Sequence, residues 1–173
     1  MNNETFIWKK FAIILLVGLL PLLLLFVYFE LSPKSYFFDY FLDLTQSINA
    51  NISSTNLELT KPLSIYCKLS PLFALYFVFK FGKYIKLKEG NKKSTLAFNF
   101  IGFSLVYIIL LYIFAIGEFD ITNGNRLLKA TASNDYAMFL YYIVTFSGLY
   151  CLSFLFFLML TKIPSIMSKG RLL

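Results

Sequence analysis

Histidine is absent from this chain of 173 residues, and cysteine occurs only twice. Without histidine, the sequence lacks both the usual proton shuttle near neutral pH and the commonest metal ligand. Cys67 and Cys151 lie in different predicted helices and form no CxxC pair, which favours packing residues over the paired thiols of a disulfide oxidase. The sequence also has no nucleophile motif and no paired carboxylates, so we expect no enzyme activity, no metal and no cofactor.

Charged residues are scarce at 14%, whereas hydrophobic residues make up 58% and the mean hydropathy is +0.70. Soluble domains contain roughly 45–50% apolar residues, so this composition is typical of a membrane protein. Four apolar runs reach the ~20 residues with which a helix crosses a bilayer. The predicted spans are about residues 11–28, 62–81, 96–116 and 136–160. Because the connections are too short for a second core, residues 1–173 are predicted to form one all-α integral membrane domain with four transmembrane helices.

Basic residues concentrate in three segments and predict the orientation of the spans. They lie in both tails and in the predicted loop 82–95, whereas the connections 29–61 and 117–135 are acidic or balanced. The positive-inside rule therefore places both termini and loop 82–95 in the cytoplasm and makes the other two connections outer loops. Topology and contact with anionic lipid headgroups account for the basic cluster, so the net charge of +7 does not predict a nucleic-acid partner.

The first outer loop contains a predicted interfacial helix. In "SPKSYFFDYFLDL", Ser32 offers an N-cap and Pro33 a first helical residue. Apolar and aromatic residues follow at helical spacing, namely Tyr36, Phe37, Tyr40, Phe41 and Leu44. We interpret this stripe either as an anchor in the outer interface or as an edge that meets a partner in the bilayer.

The second outer loop, "EFDITNGNRLLKATASND", carries a hairpin signal at Asn123-Gly124. Residues with strand propensity flank this pair, so a small β-hairpin is predicted to cap the outer face. Asp120 would then face Arg126 and Lys129, either as an internal cross-strand pair or as part of a recognition surface.

Lys68 is a cation that falls inside a predicted span. If the helix begins near Leu63, Lys68 lies ~7.5 Å below its outer end, and a lysine stem can reach back about that far. Snorkelling to the interface therefore explains it as well as contact with a partner does. Pro71 leaves the Cys67 carbonyl without its helical donor and predicts a polar bend. Since no carboxylate lies deeper than the span ends, a proton-coupled pump is disfavoured.

Several stretches of the sequence resemble a known family. Tyr66-Cys67-Lys68 followed by Pro71, at the start of the second span, is similar to a tyrosine-x-lysine-x-x-proline motif of the immunity proteins for pore-forming colicins, the colicin A and colicin B group. "FDIT" at Phe119 to Thr122 resembles a second motif of that group, and "ATASNDYAMFLYYI" resembles the segment that leads into its fourth span. "NISSTN" in the first loop is a looser match, and Leu69-Ser70 replaces the threonine-alanine of the family.

The resemblance implies a plasmid-encoded protein of the bacterial inner membrane that protects the cell producing the toxin. Its partner would be the channel-forming domain of a cognate colicin, bound within the membrane so that the pore does not open, and membrane lipid would surround it. The residues that we expect to contribute to partner binding are Tyr66, Lys68, Pro71, Asp120, Thr122, Arg126, Asn134 and Asp135. A small membrane subunit of a transporter or channel complex is the alternative that the sequence leaves open.

Overall fold

The computed structural model describes residues 3–85 and 93–168, and this part of the chain is mostly helical. Residues 86–92 of the predicted cytoplasmic loop and the ends of both tails lie outside the described residues. The helices are α1 (Asn3–Leu31), α2 (Tyr36–Leu44), α3 (Leu57–Cys67), α4 (Ser70–Phe81), α5 (Lys93–Leu111), α6 (Arg126–Ala132) and α7 (Asp135–Ser168). Two short strands, β1 (Asn51–Ile52) and β2 (Phe119–Asp120), join the loops. Tight 3-10 turns occupy Gly82–Tyr84 and Ile121–Asn123, and a π-helical turn occupies Tyr112–Ile116.

Three helical segments in the described ranges are long and apolar enough to cross a membrane, namely Thr5–Leu31, Leu57–Tyr84 and Asp135–Ile163. They contain the first, second and fourth predicted spans. The third predicted span falls in α5 and the π-helical turn, where the apolar helix Phe98–Phe114 is shorter. The mostly helical architecture is therefore confirmed, whereas the count of four spans stays a prediction.

The second predicted span is built from two helices. Helix α3 ends at Cys67 and α4 begins at Ser70, and the two residues between them form a tight turn whose backbone dihedral angles stay in the right-handed helical region. Pro71 stands in the first turn of α4, where a missing N–H costs no helical hydrogen bond. The N–H of Lys68 donates to the Ile65 carbonyl at 3.2 Å, which tightens the end of α3. The structure thus has an interruption between two helices near Pro71, where the sequence predicted a polar bend.

Helix α7 is the central element, because it packs against α1, α3, α4 and α5. Phe146, which is fully buried, lies parallel to the ring of Tyr66 with the centroids 5.6 Å apart. Gly18 of α1 permits this packing, since a Cβ at that position would lie 2.8 Å from Cζ of Phe146. In the other half of the core, the Phe154 ring lies 4.9 Å from that of Phe11. Aromatic rings on α7 thus hold the long helices together.

Helix α1 presents most of its surface away from the rest of the protein. Only 17% of the residues in its apolar membrane-crossing segment are buried, and Leu16 and Leu24 are each 63% exposed. An exposed surface this apolar and this continuous needs apolar surroundings. It is the kind of surface that lipid tails cover.

The predicted β-hairpin in the second loop is wrong. Strand β2 pairs in parallel with β1, so that Asn51 lies opposite Phe119 and Ile52 opposite Asp120. A 3-10 turn and α6 follow where the second hairpin strand was expected. Two local caps favour these helical turns: the Asp120 carboxylate accepts from the Thr122 N–H, and the Asn125 side chain accepts from the Leu128 N–H.

The short helix predicted in the first loop is present as α2, but its start was predicted too early, and its place at the membrane interface stays a prediction. The N–H of Ser32 still donates to the Tyr28 carbonyl at 3.0 Å and so prolongs the last turn of α1. Pro33 therefore belongs to the turn between the helices and is not the first residue of α2. The helix begins at Tyr36, with Ser35 as its N-cap residue.

Candidate functional site: the junction of the two loops

A cluster of polar residues lies where residues 51–56 contact the second loop and the start of α7. We call this region the loop junction. Its centre is buried, because Asn51 and Ser53 are at most 5% exposed. The Asn51 N–H donates to Oγ of Ser64 at 2.9 Å, and the Tyr142 hydroxyl donates to the Asn51 carbonyl at 2.6 Å. The Ser53 N–H donates to Oγ1 of Thr60 at 3.1 Å. Side chains thereby satisfy backbone groups that a two-residue ladder leaves unpaired.

Asp120 is one of the two acidic residues of the loop junction. Its Oδ1 accepts hydrogen bonds from the Thr122 hydroxyl at 2.5 Å, from the Thr122 N–H at 2.9 Å and from the Ser54 N–H at 3.3 Å. Because these bonds favour the charged carboxylate, with that from the Thr122 hydroxyl the strongest, they hold the pKa of Asp120 below its ordinary value. The carboxylate therefore joins the second loop to the first.

Three side-chain contacts extend the loop junction toward α7. The hydroxyls of Ser54 and Thr122 share a hydrogen bond of 2.8 Å. The Thr55 hydroxyl donates to the Ala132 carbonyl at 3.0 Å, at the end of α6. The Asn56 amide donates to Oδ1 of Asp135 at 2.7 Å, in the first turn of α7.

Asn134 is exposed and lies just before α7. Its Oδ1 accepts from the Ala137 N–H at 3.0 Å, the geometry of an N-cap. The predicted Asn134-Asp135 pair thus starts the central helix and joins it to the first loop.

Side chains at the interruption between α3 and α4 form hydrogen bonds to α1 and α7. The Tyr66 hydroxyl donates to the Gly18 carbonyl of α1 at 2.8 Å. Two groups donate to carbonyls of α7: Sγ of Cys67 to Tyr142 at 3.4 Å and Oγ of Ser70 to Phe146 at 2.7 Å. Tyr66 therefore has a structural contact of its own inside the protein.

Lys68 reaches the first loop from the same interruption. Its ammonium donates to the backbone carbonyl of Asn49, and the side chain of Asn49 donates to the Ile116 carbonyl at 3.3 Å. Asn49 thus connects the interruption of the second span to the π-helical turn that ends the α5 segment.

The structure brings together Asp120, Thr122 and Asp135 of the predicted binding residues, with Asn134 beside them. Tyr66, Lys68 and Pro71 lie at the interruption of the second span, while Arg126 is exposed at the start of α6. The prediction missed the residues of the first loop that complete the loop junction, and it missed Tyr142. The dense run of serine, threonine and asparagine in "NISSTN" was the available signal, since such side chains bind nearby backbone groups.

The polar groups of the loop junction hold neighbouring segments of the chain in position. They are hydroxyls, amides and two carboxylates whose hydrogen bonds join neighbouring segments. Within residues 3–85 and 93–168, no group of three His, Cys, Asp or Glu residues is arranged to hold a metal ion. The arrangement fixes two loops against each other and presents their outer faces in a defined geometry.

Comparison of the sequence with known proteins places this chain in a family of toxin antagonists. The model of the colicin immunity protein family matches residues 34–171, so the chain belongs to that family. Over 140 residues it is 31% identical to the colicin-A immunity protein of Citrobacter freundii, an alignment that covers 81% of this chain and 76% of that protein. No solved structure gave a significant match. The recognition from the two sequence motifs is confirmed.

Proposed function

We propose that this protein protects a colicin-producing bacterium by binding the channel-forming domain of a pore-forming colicin in the inner membrane. The observation that carries this proposal is the 31% identity to the colicin-A immunity protein over most of both chains. The long apolar helices support a location in the bilayer. In this proposal, the chain spans the membrane four times, with both termini in the cytoplasm and the loop junction on the outer side.

The proposed mechanism is a shift of the toxin's conformational equilibrium, for which no catalysis is needed. An inserted channel domain exchanges between closed and open states, and a partner that binds the closed state better raises its population. Moving the ratio from 99:1 in favour of the open state to 1:99 takes roughly 10⁴-fold preferential binding. Exposed apolar helix faces can supply the contact area in the bilayer, while polar groups at the outer end select the toxin.

The eight predicted binding residues have four roles within this proposal. Arg126 is exposed and is available to contact the toxin directly. Asp120, Thr122 and Asp135 have contacts inside the loop junction and act as positioning residues. Tyr66, Lys68 and Pro71 set the geometry of the second span, and Asn134 caps α7.

The test is expression in a colicin-sensitive strain, followed by challenge with a panel of pore-forming colicins that includes colicins A and B. We expect protection against at least one of them, measured as survival and as retention of intracellular potassium. A nuclease colicin is the control, because it kills without a membrane pore. Delivering the toxin by osmotic shock bypasses its receptor, so protection should persist if the chain acts in the inner membrane.

Two results would contradict the proposal. The first is sensitivity to every pore-forming colicin in the panel while the protein is present in the inner membrane. The second is equal protection against the nuclease colicin, which would indicate interference with toxin import.

A further inference from the structure

Helix α2 has one face fixed against the protein and one face that is open. Phe38 is 1% exposed, and its ring lies 5.7 Å from that of Phe29 on α1. On the open face, Tyr36, Tyr40 and Leu44 are 81%, 55% and 64% exposed. The rings of Tyr36 and Tyr40 are stacked, with their centroids 6.3 Å apart. The open face is therefore a preformed row of large side chains on a well-anchored helix.

The charge of α2 distinguishes it from a helix that attaches to lipid headgroups. Its polar residues are Asp39 and Asp43, both exposed, and its sequence YFFDYFLDL contains no basic residue. Helices that lie on membranes usually carry lysine and arginine on the polar face, because many lipid headgroups are anionic. Two carboxylates at this position oppose such attachment, and they are complementary to a cationic partner.

An apolar groove adjoins the open face of α2. It has a volume of about 410 Å³ and is lined by Pro21, Leu24, Leu25, Tyr28 and Phe37. Phe37 belongs to both surfaces, since it lines the groove and is 42% exposed on α2. At about 100° per residue, Phe37 and Leu44 lie on one side of the two tyrosines, and Asp39 and Asp43 lie on the other.

We propose that α2 and this groove form the docking surface for a helix of the colicin's channel-forming domain that carries lysine or arginine at its outer end. The inference rests on the proposed function and names the surface that performs it. The apolar part of the toxin helix fills the groove along α1, its outer turn packs on Tyr36 and Tyr40, and its cations pair with Asp39 and Asp43. Exposed tyrosines beside complementary charges are typical of the residues that dominate binding at interfaces.

The experiment uses the full chain and the colicin against which it protects. The variant with Asp39→Lys and Asp43→Lys should lower protection at least about tenfold, measured as the colicin dilution that still kills. Tyr36→Ala with Tyr40→Ala should do the same, whereas Tyr112→Ala, which removes an exposed ring from α5's π-helical extension, should leave protection unchanged. If lipid were the occupant, the two added lysines would strengthen attachment and protection would stay the same or rise, which overturns the proposal.

Photocrosslinking tests the docking surface directly, even if one of the substituted variants is absent from the membrane. A photoreactive phenylalanine analogue at position 36 or 40 should crosslink to the channel-forming domain, and the same analogue at position 112 should not. Crosslinks from position 112 alone, or from none of the three, contradict the docking surface. If the unaltered chain protects against no colicin, the proposed function itself is wrong. If the unaltered chain protects and the Asp39→Lys, Asp43→Lys variant protects equally well, only the docking surface is wrong.

Discussion

At the scale of single residues, the side chains that carry the family resemblance bind other parts of the same chain. Tyr66 donates to α1, Lys68 donates to the first loop, and Asp120 accepts from Ser54 and Thr122. The two motifs could be found in the sequence, but their roles could not. The contacts from residues 54–56 to the second loop and α7 join residues 66–79 positions apart, and no local pattern encodes such partners.

Replacing Tyr142 measures how much one hydrogen bond of the loop junction contributes to the stability of the protein. Tyr142→Phe removes the hydroxyl that donates to the Asn51 carbonyl but keeps the buried ring. We expect a loss of about 1–3 kcal/mol in the free energy of unfolding, because a buried acceptor loses its donor. Equilibrium unfolding in detergent measures this change in the free energy of unfolding. Tyr112→Phe is the matched control, since Tyr112 is 60% exposed, and an equal loss in the control would contradict the prediction.

Asp120 makes the stability of the loop junction depend on pH. Its pKa is lowered in the folded protein, so it binds a proton more readily in the unfolded chain. Its contribution is therefore complete above the unfolded pKa of about 4 and is lost as the pH falls through the lower folded value. The protein and its Asp120→Asn variant should differ in thermal stability near neutral pH and converge in acid. Thermal unfolding across pH tests this, and a constant difference would contradict it.

At the scale of elements, long apolar runs were predictable and polar loops were not. The apolar runs have a strong signal because every side chain must suit the same surroundings. The hairpin prediction relied on Asn123-Gly124, whose favoured turn needs two residues with positive φ. Gly124 instead has a φ of −72°. Capping by Asp120 and Asn125, together with pairing to the first loop, overrode the local propensity.

The π-helical turn at the end of the α5 segment depends on a glycine. The Gly117 N–H donates to the Tyr112 carbonyl at 2.8 Å, and a Cβ on Gly117 would lie 2.5 Å from the Ile113 carbonyl oxygen. Gly117→Ala should therefore force this turn to rearrange and cost about 1–3 kcal/mol in the free energy of unfolding, typical of overpacking. Differential scanning fluorimetry would detect the lowered melting temperature.

Gly102→Ala is the control for that change, because a Cβ there meets nothing within 4 Å. Alanine is favoured over glycine inside helices by about 0.5–1 kcal/mol, so this control should be neutral or slightly stabilising. If both variants lose the same stability, the close contact at Gly117 is not the cause.

At the scale of the whole molecule, the charge distribution predicts a side of the membrane for each loop. Single cysteines at Ser47 and Asn123, in a background of Cys67→Ala and Cys151→Ala, should react in intact cells with a maleimide that cannot cross the inner membrane. A cysteine at Lys83 should react only after the inner membrane is permeabilised. Labelling of position 83 together with 47 and 123 in intact cells would contradict the predicted topology.

The short parallel ladder between β1 and β2 has a consequence for biogenesis. A ribosome makes Asn51 long before Phe119 and Tyr142, so the first loop emerges without two of the partners that Asn51 contacts in the folded protein. The N–H groups of Asn51 and Ser53 can pair early, with Ser64 and Thr60, whereas the Asn51 carbonyl stays open to water until Tyr142 is made. Closure of the ladder therefore has to follow synthesis of the second loop. The Tyr142 hydroxyl then completes the pairing of Asn51 once α7 packs, so the first loop reaches its final set of hydrogen bonds late in synthesis.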